Sequence, residues 1–193
     1  MVATPSTMLQ LGTPIPDFAL PNVVDGRKVT PRDFEGKRAL LVMFICNHCP
    51  FVKHVKDELT RLGRDYLSRD VGIVAINSND VAKYPDDGPE QMKALALAEG
   101  WRFPFLLDEA QSVARAFKAA CTPDFFVFDG EGRLAYRGQL DASRPRNDVP
   151  VTGADLRAAL DAVLGGDPVP AEQAPSLGCN IKWKPGNEPD YFG

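Results

Sequence analysis

The sequence predicts an α/β domain whose central mixed β-sheet carries helices on both faces. Three observations lead to this prediction. Two continuous apolar runs, residues 39–45 and 71–77, are typical of strands that are buried on both faces. A helical pattern follows each run, so the chain alternates between strand and helix. Two later apolar segments surround a glycine-rich turn, which adds an antiparallel hairpin to the sheet.

The composition is that of an ordinary globular protein. Of the 193 residues, 44% are hydrophobic and 25% are charged, which excludes a disordered or fibrous chain. The net charge of −4 offers no basic field for nucleic acid or anionic lipid. No apolar run approaches the roughly 18 residues of a membrane helix. The first seven residues have neither the basic nor the apolar part of a secretory signal, so a cytoplasmic location is expected.

The first half of the chain contains a short extension and a long helix. Residues 18–20 and 27–29 flank Asp25-Gly26, a turn signal that predicts a β-hairpin ahead of the main sheet. Thr30, followed by a proline and then an acid, is typical of a helix start. A longer helix begins at Pro50. Its apolar side chains recur at three and four residues and form one face: Val52, Val55, Leu59, Leu62 and Tyr66.

The second half of the chain completes the sheet and its helical layers. Helices are predicted over residues 90–99 and 110–119, and an antiparallel hairpin lies within residues 125–138. The last helix, residues 155–164, ends at Gly165-Gly166, because glycine readily adopts the backbone conformation that closes a helix.

We assign the domain to residues 1–165 and a C-terminal arm to residues 166–193. Five of the 17 prolines lie in the arm, and proline fixes φ and withholds a backbone donor, so an extended chain is expected. Trp183, Tyr191 and Phe192 are costly to leave in water. The arm is therefore expected to pack on its own domain or on a partner, and both a monomer and a homodimer stay open.

The residues that carry chemistry are Cys46-Asn47-His48-Cys49, where a buried strand meets a helix. Their spacing allows two sulfurs to approach disulfide distance. The helix N-terminus offers unpaired amides and partial positive charge, which stabilise the thiolate that thiol–disulfide exchange needs. His48 adds positive charge beside the thiolate when it is protonated. The pattern predicts a redox site with Cys46, His48 and Cys49 as its catalytic residues.

Two other interpretations of these cysteines stay open. In the first, the cysteines are buried as small hydrophobic side chains. In the second, they belong to a metal-binding module without catalytic activity. A structural zinc site needs four ligands, and the sequence has no second closely spaced pair of cysteines or histidines. We therefore expect no metal and no organic cofactor. Haem attachment is excluded, because Pro50 stands where that motif requires histidine.

A second signal, Cys121-Thr122-Pro123, stands immediately before the predicted strand at residues 125–128. With the C-x-x-C motif it resembles the thioredoxin superfamily, specifically the peroxiredoxin-like branch that contains the alkyl hydroperoxide reductase and thiol-specific antioxidant family. The similarity extends over residues 12–165. It implies a thioredoxin fold, here with an N-terminal β-hairpin extension and a C-terminal extended arm.

The resemblance also implies the roles of particular residues. The C-x-x-C motif is expected to face a cis Thr122–Pro123 bond, and Asn47, Thr122 and Pro123 are expected to contact the substrate. Thioredoxins also carry a buried acid on the strand six residues before the first cysteine. Leu40 occupies that position here, so the usual proton acceptor for Cys49 is missing.

Two chemistries are compatible with the resemblance. In a dithiol couple, Cys46 attacks a substrate disulfide and Cys49 resolves the mixed disulfide, and the Asn-His pair between them predicts a more oxidising couple than thioredoxin. In a peroxidase, Cys49 is the peroxidatic cysteine, but Cys46 and Pro123 replace the threonine and arginine of that site, which leaves Arg137 as a substitute. We expect the couple, acting on protein or small-molecule thiols and disulfides, with peroxides as the alternative substrates.

Two further cysteines are auxiliary candidates. Cys121 is expected to be a packed core cysteine, with a third thiol near the site as the alternative. Cys179 lies in the arm close to Trp183, where a resolving role is the alternative to simple packing. The acidic segment 84–89 is expected to form a loop at the rim of the site.

Overall fold

The structure, a computed structural model, describes residues 3–192. Met1, Val2 and Gly193, which the predicted domain and arm include, lie outside the described residues. In chain order the elements are β1 (Thr4–Pro5), β2 (Leu20–Pro21), β3 (Lys28–Val29), β4 (Ala39–Phe44), α1 (Pro50–Leu67), β5 (Val71–Asn77), α2 (Pro89–Ala98), β6 (Phe105–Leu107), α3 (Ser112–Ala116), β7 (Cys121–Thr122), β8 (Asp124–Asp129), β9 (Leu134–Gly138), α4 (Ala154–Gly165) and β10 (Leu177–Asn180).

The central sheet has five strands in the order β6-β5-β4-β8-β9. β4 runs parallel to β5 and antiparallel to β8, with Leu41 opposite both Ile73 and Val127. Every residue of β4 and β5 is buried, as their continuous apolar sequences predict. The sheet is therefore mixed and buried at its centre, in agreement with the prediction.

Alternate side chains of the central strands enter two separate cores. Leu41 of β4 packs with α1, α2 and α4 on one face, whereas Val42 packs with α3 on the other. α1 carries the predicted apolar face, all of it buried. Within residues 3–192, no helix is both long and apolar enough to cross a bilayer.

The predicted N-terminal hairpin is present as β2 and β3, with Leu20 opposite Val29. The helix expected after Thr30 is a single 3₁₀ turn, Pro31–Phe34, capped by Thr30 and Asp33. The helix predicted over residues 110–119 is shorter, because Gln111 and Lys118 adopt left-handed backbone conformations, with φ of 61° and 50°, at its two ends. The other predicted helices lie within two residues of their expected bounds.

The C-terminal arm packs against the domain. β10 lies between β1 and β7 in a small antiparallel sheet, with Gly178 opposite Thr4 and Cys179 opposite Thr122. Beyond β10, the buried ring of Trp183 contacts the ring of Tyr191 edge to face, with the ring centroids 6.5 Å apart. Phe192, expected to dock as well, is 45% exposed.

One buried carboxyl group lies beneath the place where the arm and the N-terminus meet. Asp124 is the first residue of β8 and is fully buried. Burial raises the pKa of Asp124 to about 7, and hydrogen bonds with Ser6, Ser176 and the Ala120 amide only partly offset this. The native state therefore retains a proton on Asp124 at pH values where the unfolded chain has lost it.

This difference makes the free energy of unfolding depend on pH. Between pH 4 and pH 7 the folded state binds one more proton than the unfolded state at Asp124, so stability falls as the pH rises. The slope from this group is about 1.4 kcal/mol per pH unit. Asp124→Asn is expected to remove that part of the slope and to be more stable than the wild type at pH 8, as measured by urea unfolding. The exposed Asp148→Asn is the control, and equal slopes in all three proteins would contradict the prediction.

Candidate active site

The C-x-x-C motif joins the central strand β4 to the first turn of α1. Cys49 is the N-cap residue of α1 and Pro50 occupies its first position, where the missing amide proton costs nothing. Cys46 and Cys49 stand as thiols rather than as a disulfide, with exposed fractions of 1% and 0%. The two sulfurs are thus placed at a helix N-terminus, as predicted, but are covered by other parts of the chain.

Thr122 brings the second sequence signal against both cysteines. The Thr122–Pro123 peptide bond is cis. The Thr122 hydroxyl oxygen lies 3.5 Å from the Cys46 sulfur, and the Cys49 thiol donates to the Thr122 carbonyl oxygen over 3.1 Å. Residues more than 70 positions apart in the sequence therefore meet at this point of the structure.

A third sulfur belongs to the same cluster. Cys179, on β10 of the arm, forms a hydrogen bond with Cys49, which also bonds to Cys46. These bonds from Cys179 and Cys46 hold the pKa of Cys49 well below its usual range. The bond to Cys49 and burial raise the pKa of both Cys46 and Cys179. Of the three sulfurs in this cluster, Cys49 therefore has the lowered pKa and its two neighbours have raised ones.

Asp87 is the residue of the site that sequence reasoning missed. The expected rim loop places this carboxylate in full burial beneath the C-x-x-C segment. It accepts hydrogen bonds from the amides of Asn47 and His48 at 2.8 and 3.0 Å, from Asn79 at 2.8 Å, and it pairs with His48 Nδ1 at 2.5 Å. In the sequence, Asp87 is one of two adjacent acids that stand before Gly88 and α2. Nothing in that pattern distinguishes Asp87 from Asp86.

Asp87 also sets the electrostatics around Cys46. Burial alone would raise the pKa of Asp87, but the hydrogen bonds from His48 and Asn79 bring it below its usual value. The resulting buried negative charge contributes to the raised pKa of Cys46. The acid that is missing at Leu40 thus has a counterpart on a different segment, close to Cys46.

His48 is fixed between the acid and an aromatic ring. Its imidazole stacks on Tyr84, with ring centroids 5.2 Å apart and planes 11° apart. The ammonium group of Lys182, from the arm, lies 5.8 Å from the same tyrosine ring. The loop that supplies Asp87 therefore also holds His48 and touches the arm.

The remaining predicted residues are Asn47, Cys121 and Arg137, and their hydrogen-bond partners differ. Asn47 contributes its backbone amide to Asp87. Cys121 is buried next to Thr122, where burial raises its pKa and its thiol points to the Pro123 carbonyl oxygen at 3.6 Å. Arg137, considered as a peroxidatic substitute, instead donates to Gln173 of the arm over 2.7 Å. Its described hydrogen bonds include none to a cysteine.

One group in residues 3–192 brings together atom types that bind metals. Ligand atoms of Cys46, His48 and Asp87 lie within 4.8 Å of one another. A structural zinc site takes four ligands, and both Asp87 oxygens already accept hydrogen bonds from the C-x-x-C loop. His48 and Asp87 are hydrogen-bonded to each other, whereas Cys46 is bonded to Thr122 and Cys49, so these side chains already have partners in the protein.

Comparison with known proteins gives a family match and several relatives. The family model described as Redoxin matches residues 10–156. The chain is 26% identical over 134 residues to the thiol:disulfide interchange protein DsbE of Allochromatium vinosum, a match that covers 67% of each chain.

Solved structures include both an overall match and a more distant one. An uncharacterized conserved protein from Geobacillus kaustophilus superposes with a TM-score of 0.94 at 57% identity, over 96% of this chain and 98% of that one. A thioredoxin-family thiol:disulfide interchange protein from Chlorobium tepidum TLS is 22% identical and gives a TM-score of 0.62 over 80% of this chain and 97% of its own. This second match confirms the predicted thioredoxin fold.

The role of Asp87 leads to a prediction about the neighbouring thiol. Asp87→Asn removes a buried negative charge beside Cys46, so the pKa of Cys46 is expected to fall. In a Cys49→Ser background, the pH midpoint of Cys46 alkylation should therefore move to lower pH. Loss of charged hydrogen bonds to the loop should also lower the free energy of unfolding by about 1–3 kcal/mol. The exposed Asp86→Asn is the control, and a midpoint that stays in place or rises would refute the prediction.

Proposed function

The chain belongs to the Redoxin family, and on that basis we propose that it is a thiol–disulfide oxidoreductase that works through a Cys46–Cys49 couple. The observation that carries the proposal is that both sulfurs contact Thr122. This contact lies at the N-terminus of α1, where Cys49 is the N-cap residue. The similarity to a thiol:disulfide interchange protein supports it. The substrates are protein or small-molecule disulfides, and the cytoplasmic location stays part of the proposal.

The proposed reaction is two successive thiol–disulfide exchanges. The Cys46 thiolate attacks one sulfur of a substrate disulfide, the substrate bond breaks, and the leaving sulfur departs as a thiolate. Cys49 then attacks the Cys46 sulfur of this mixed disulfide. The second substrate sulfur leaves, and the Cys46–Cys49 disulfide forms. The substrate gains two electrons, and an external reductant of thiol class returns the couple to its reduced state.

Departure of the arm would favour Cys46 as the first sulfur to attack. While Cys179 bonds to Cys49, the pKa of Cys49 is held below that of Cys46. Removal of Cys179 takes away one of the two thiols that lower the pKa of Cys49. Cys46, with the Thr122 hydroxyl beside it, then shares the charge and serves as the attacking sulfur.

Trapping of mixed disulfides tests the function and the order of attack together. Cys49→Ser retains the attacking sulfur in the proposal and should accumulate a mixed disulfide with an oxidised peptide substrate. Cys46→Ser should accumulate much less. The readout is intact-mass spectrometry at matched times. Trapping only by Cys46→Ser would reverse the assigned roles, and no trapping by either variant would refute the proposed oxidoreductase.

The reduction potential provides a separate prediction. A ring nitrogen of His48 lies within 4.8 Å of the Cys46 sulfur, where a positive charge on the imidazole would stabilise the reduced thiolate form, so the potential is expected above the roughly −270 mV of thioredoxin. His48→Ala should shift it to more negative values, on the order of 30 mV for a tenfold change in equilibrium. Equilibration with glutathione buffers measures both proteins. A wild-type potential at or below that of thioredoxin would contradict the prediction.

Peroxide reduction is the second candidate, because Cys49 has the lowered pKa that a peroxidatic cysteine needs. Arg137, bonded to Gln173, gives this candidate no support. Stopped-flow tryptophan fluorescence of the reduced protein with hydrogen peroxide distinguishes the two functions. We expect the rate of an ordinary thiol. A reaction faster by orders of magnitude and abolished by Cys49→Ser would favour the peroxidase.

A further inference from the structure

The arm occupies the position where a substrate strand is expected. β10 pairs with β7 in antiparallel register, with Cys179 opposite Thr122 and Asn180 opposite Cys121. Thr122 is the residue whose hydroxyl and carbonyl groups contact Cys46 and Cys49. An extended chain that delivers a sulfur to this couple would need the same edge of β7. Here the protein's own chain lies on that edge, and it carries a cysteine at the register position of Thr122.

The fit between arm and site is close. A Cβ atom added to Gly178 would lie 2.1 Å from the Thr122 carbonyl oxygen and 2.6 Å from its carbon, so only glycine allows this approach. Further along the arm, Ile181 is buried and its amide donates to the Ala120 carbonyl oxygen. The Lys182 amide donates to Asn79 over 2.8 Å. The strand is thus fixed on both sides of Cys179.

The three sulfurs are arranged with Cys49 in the middle. Cys46 interacts with Cys49, Asp87 and Thr122. Cys179 interacts with Cys49. Cys49 is the sulfur that both of them contact. In thiol–disulfide exchange the central sulfur changes partners while the two outer sulfurs act as attacking and leaving groups.

We propose that Cys179 is a third reacting thiol, carried on an internal substrate strand, that exchanges with the Cys46–Cys49 disulfide. The thiolate of Cys179 attacks the Cys49 sulfur, the Cys49–Cys179 bond forms, and the Cys46–Cys49 bond breaks. The bonding electron pair leaves on Cys46, which takes up the proton that Cys179 has lost. No external oxidant or reductant is consumed. This inference rests on the proposed function, because that reaction supplies the Cys46–Cys49 disulfide.

The step has two consequences for the site. It returns Cys46 to the thiol form while the protein stays oxidised. It also fastens the arm covalently over the couple. Before the step, an external strand reaches the buried sulfurs only by displacing β10.

Peptide mapping after oxidation tests the new bond. Full-length reduced protein is treated with one equivalent of diamide, blocked with iodoacetamide, and digested with trypsin without reduction. Cys46 and Cys49 fall in one peptide, residues 39–53, and Cys179 falls in another, residues 158–182. A Cys46–Cys49 disulfide stays inside the first peptide, whereas the proposed bond joins the two peptides.

The variants assign the bond to a particular sulfur. The joined peptides should form in the wild type and in Cys46→Ser, and should fall by about tenfold or more in Cys49→Ser. If only the disulfide inside residues 39–53 forms, the inference fails while the proposed couple stands. If that disulfide does not form either, the proposed function fails as well. Cross-linking that persists in Cys49→Ser and disappears in Cys46→Ser would overturn the assignment of Cys49 as the central sulfur.

Displacement of the strand without loss of the sulfur is the second test. Gly178→Ala should push β10 away from Thr122, so alkylation of Cys46 and Cys49 in the reduced protein should accelerate by about tenfold or more. The joined peptides should decrease in parallel. Glu172→Ala, an exposed substitution on the same arm, is the matched control. Equal alkylation and cross-linking in Gly178→Ala and the control would overturn the placement of the strand.

Cys179→Ser separates the sulfur from the strand, and it covers the case in which Gly178→Ala fails to fold. This variant retains the glycine and the β10 register. It should therefore keep the slow alkylation of the wild type while losing the joined peptides. A thermal melt reports its folding. Because Cys179 is the one cysteine in residues 158–182, the informative readout of this variant is alkylation. Alkylation of Cys46 and Cys49 that is about tenfold or more faster in Cys179→Ser than in the wild type would show that the strand alone does not cover the couple, and would overturn the placement of β10 as the covering strand.

Discussion

The backbone and hydroxyl of Thr122 are the contacts on which the whole site depends. One residue faces Cys46 with its hydroxyl and Cys49 with its carbonyl group, and it pairs with Cys179 along the strand. The mixed sheet makes this possible, because β8, which continues directly from Pro123, lies antiparallel beside β4 with Asp124 opposite Phe44. The end of β4 and the start of β8 therefore meet at the same edge of the sheet. Helix α1 begins at that edge and adds its N-terminal charge to the cluster.

A balance of opposite electrostatic influences surrounds the sulfurs. The N-terminus of α1 and the neighbouring thiols favour a negative charge on Cys49. The buried carboxylate of Asp87 opposes a negative charge on Cys46, although it also fixes the loop through two amides. Because these influences act on different sulfurs, they give two chemically identical thiols different pKa values, lowered at Cys49 and raised at Cys46. The position of the arm enters the same balance through Cys179.

The sequence patterns predicted the sheet, α1 and the location of the redox motif well, because these depend on local periodicity. The apolar runs around Leu41 and Ile73 have few alternatives to a doubly buried strand. Asp87 was not predicted, since its burial results from the way that the loop after β5 folds back onto the C-x-x-C segment. The pairing of Cys179 with Thr122 was also beyond the sequence, because register across 57 positions of chain leaves no local pattern. The need for glycine at position 178 is evident only from the position of the Thr122 carbonyl group.

The docking of β10 beside the couple has a consequence for competition at the site. A strand that is tethered to its binding edge acts at an effective concentration in the millimolar range. A separate strand present at micromolar concentration therefore competes at a disadvantage of about a thousandfold, or ~4.1 kcal/mol. Weak, non-covalent recognition cannot overcome such a deficit. Only partners that bind this edge tightly, or that carry a readily reacting disulfide, compete with the arm. The tether of the arm therefore restricts which molecules reach the sulfurs.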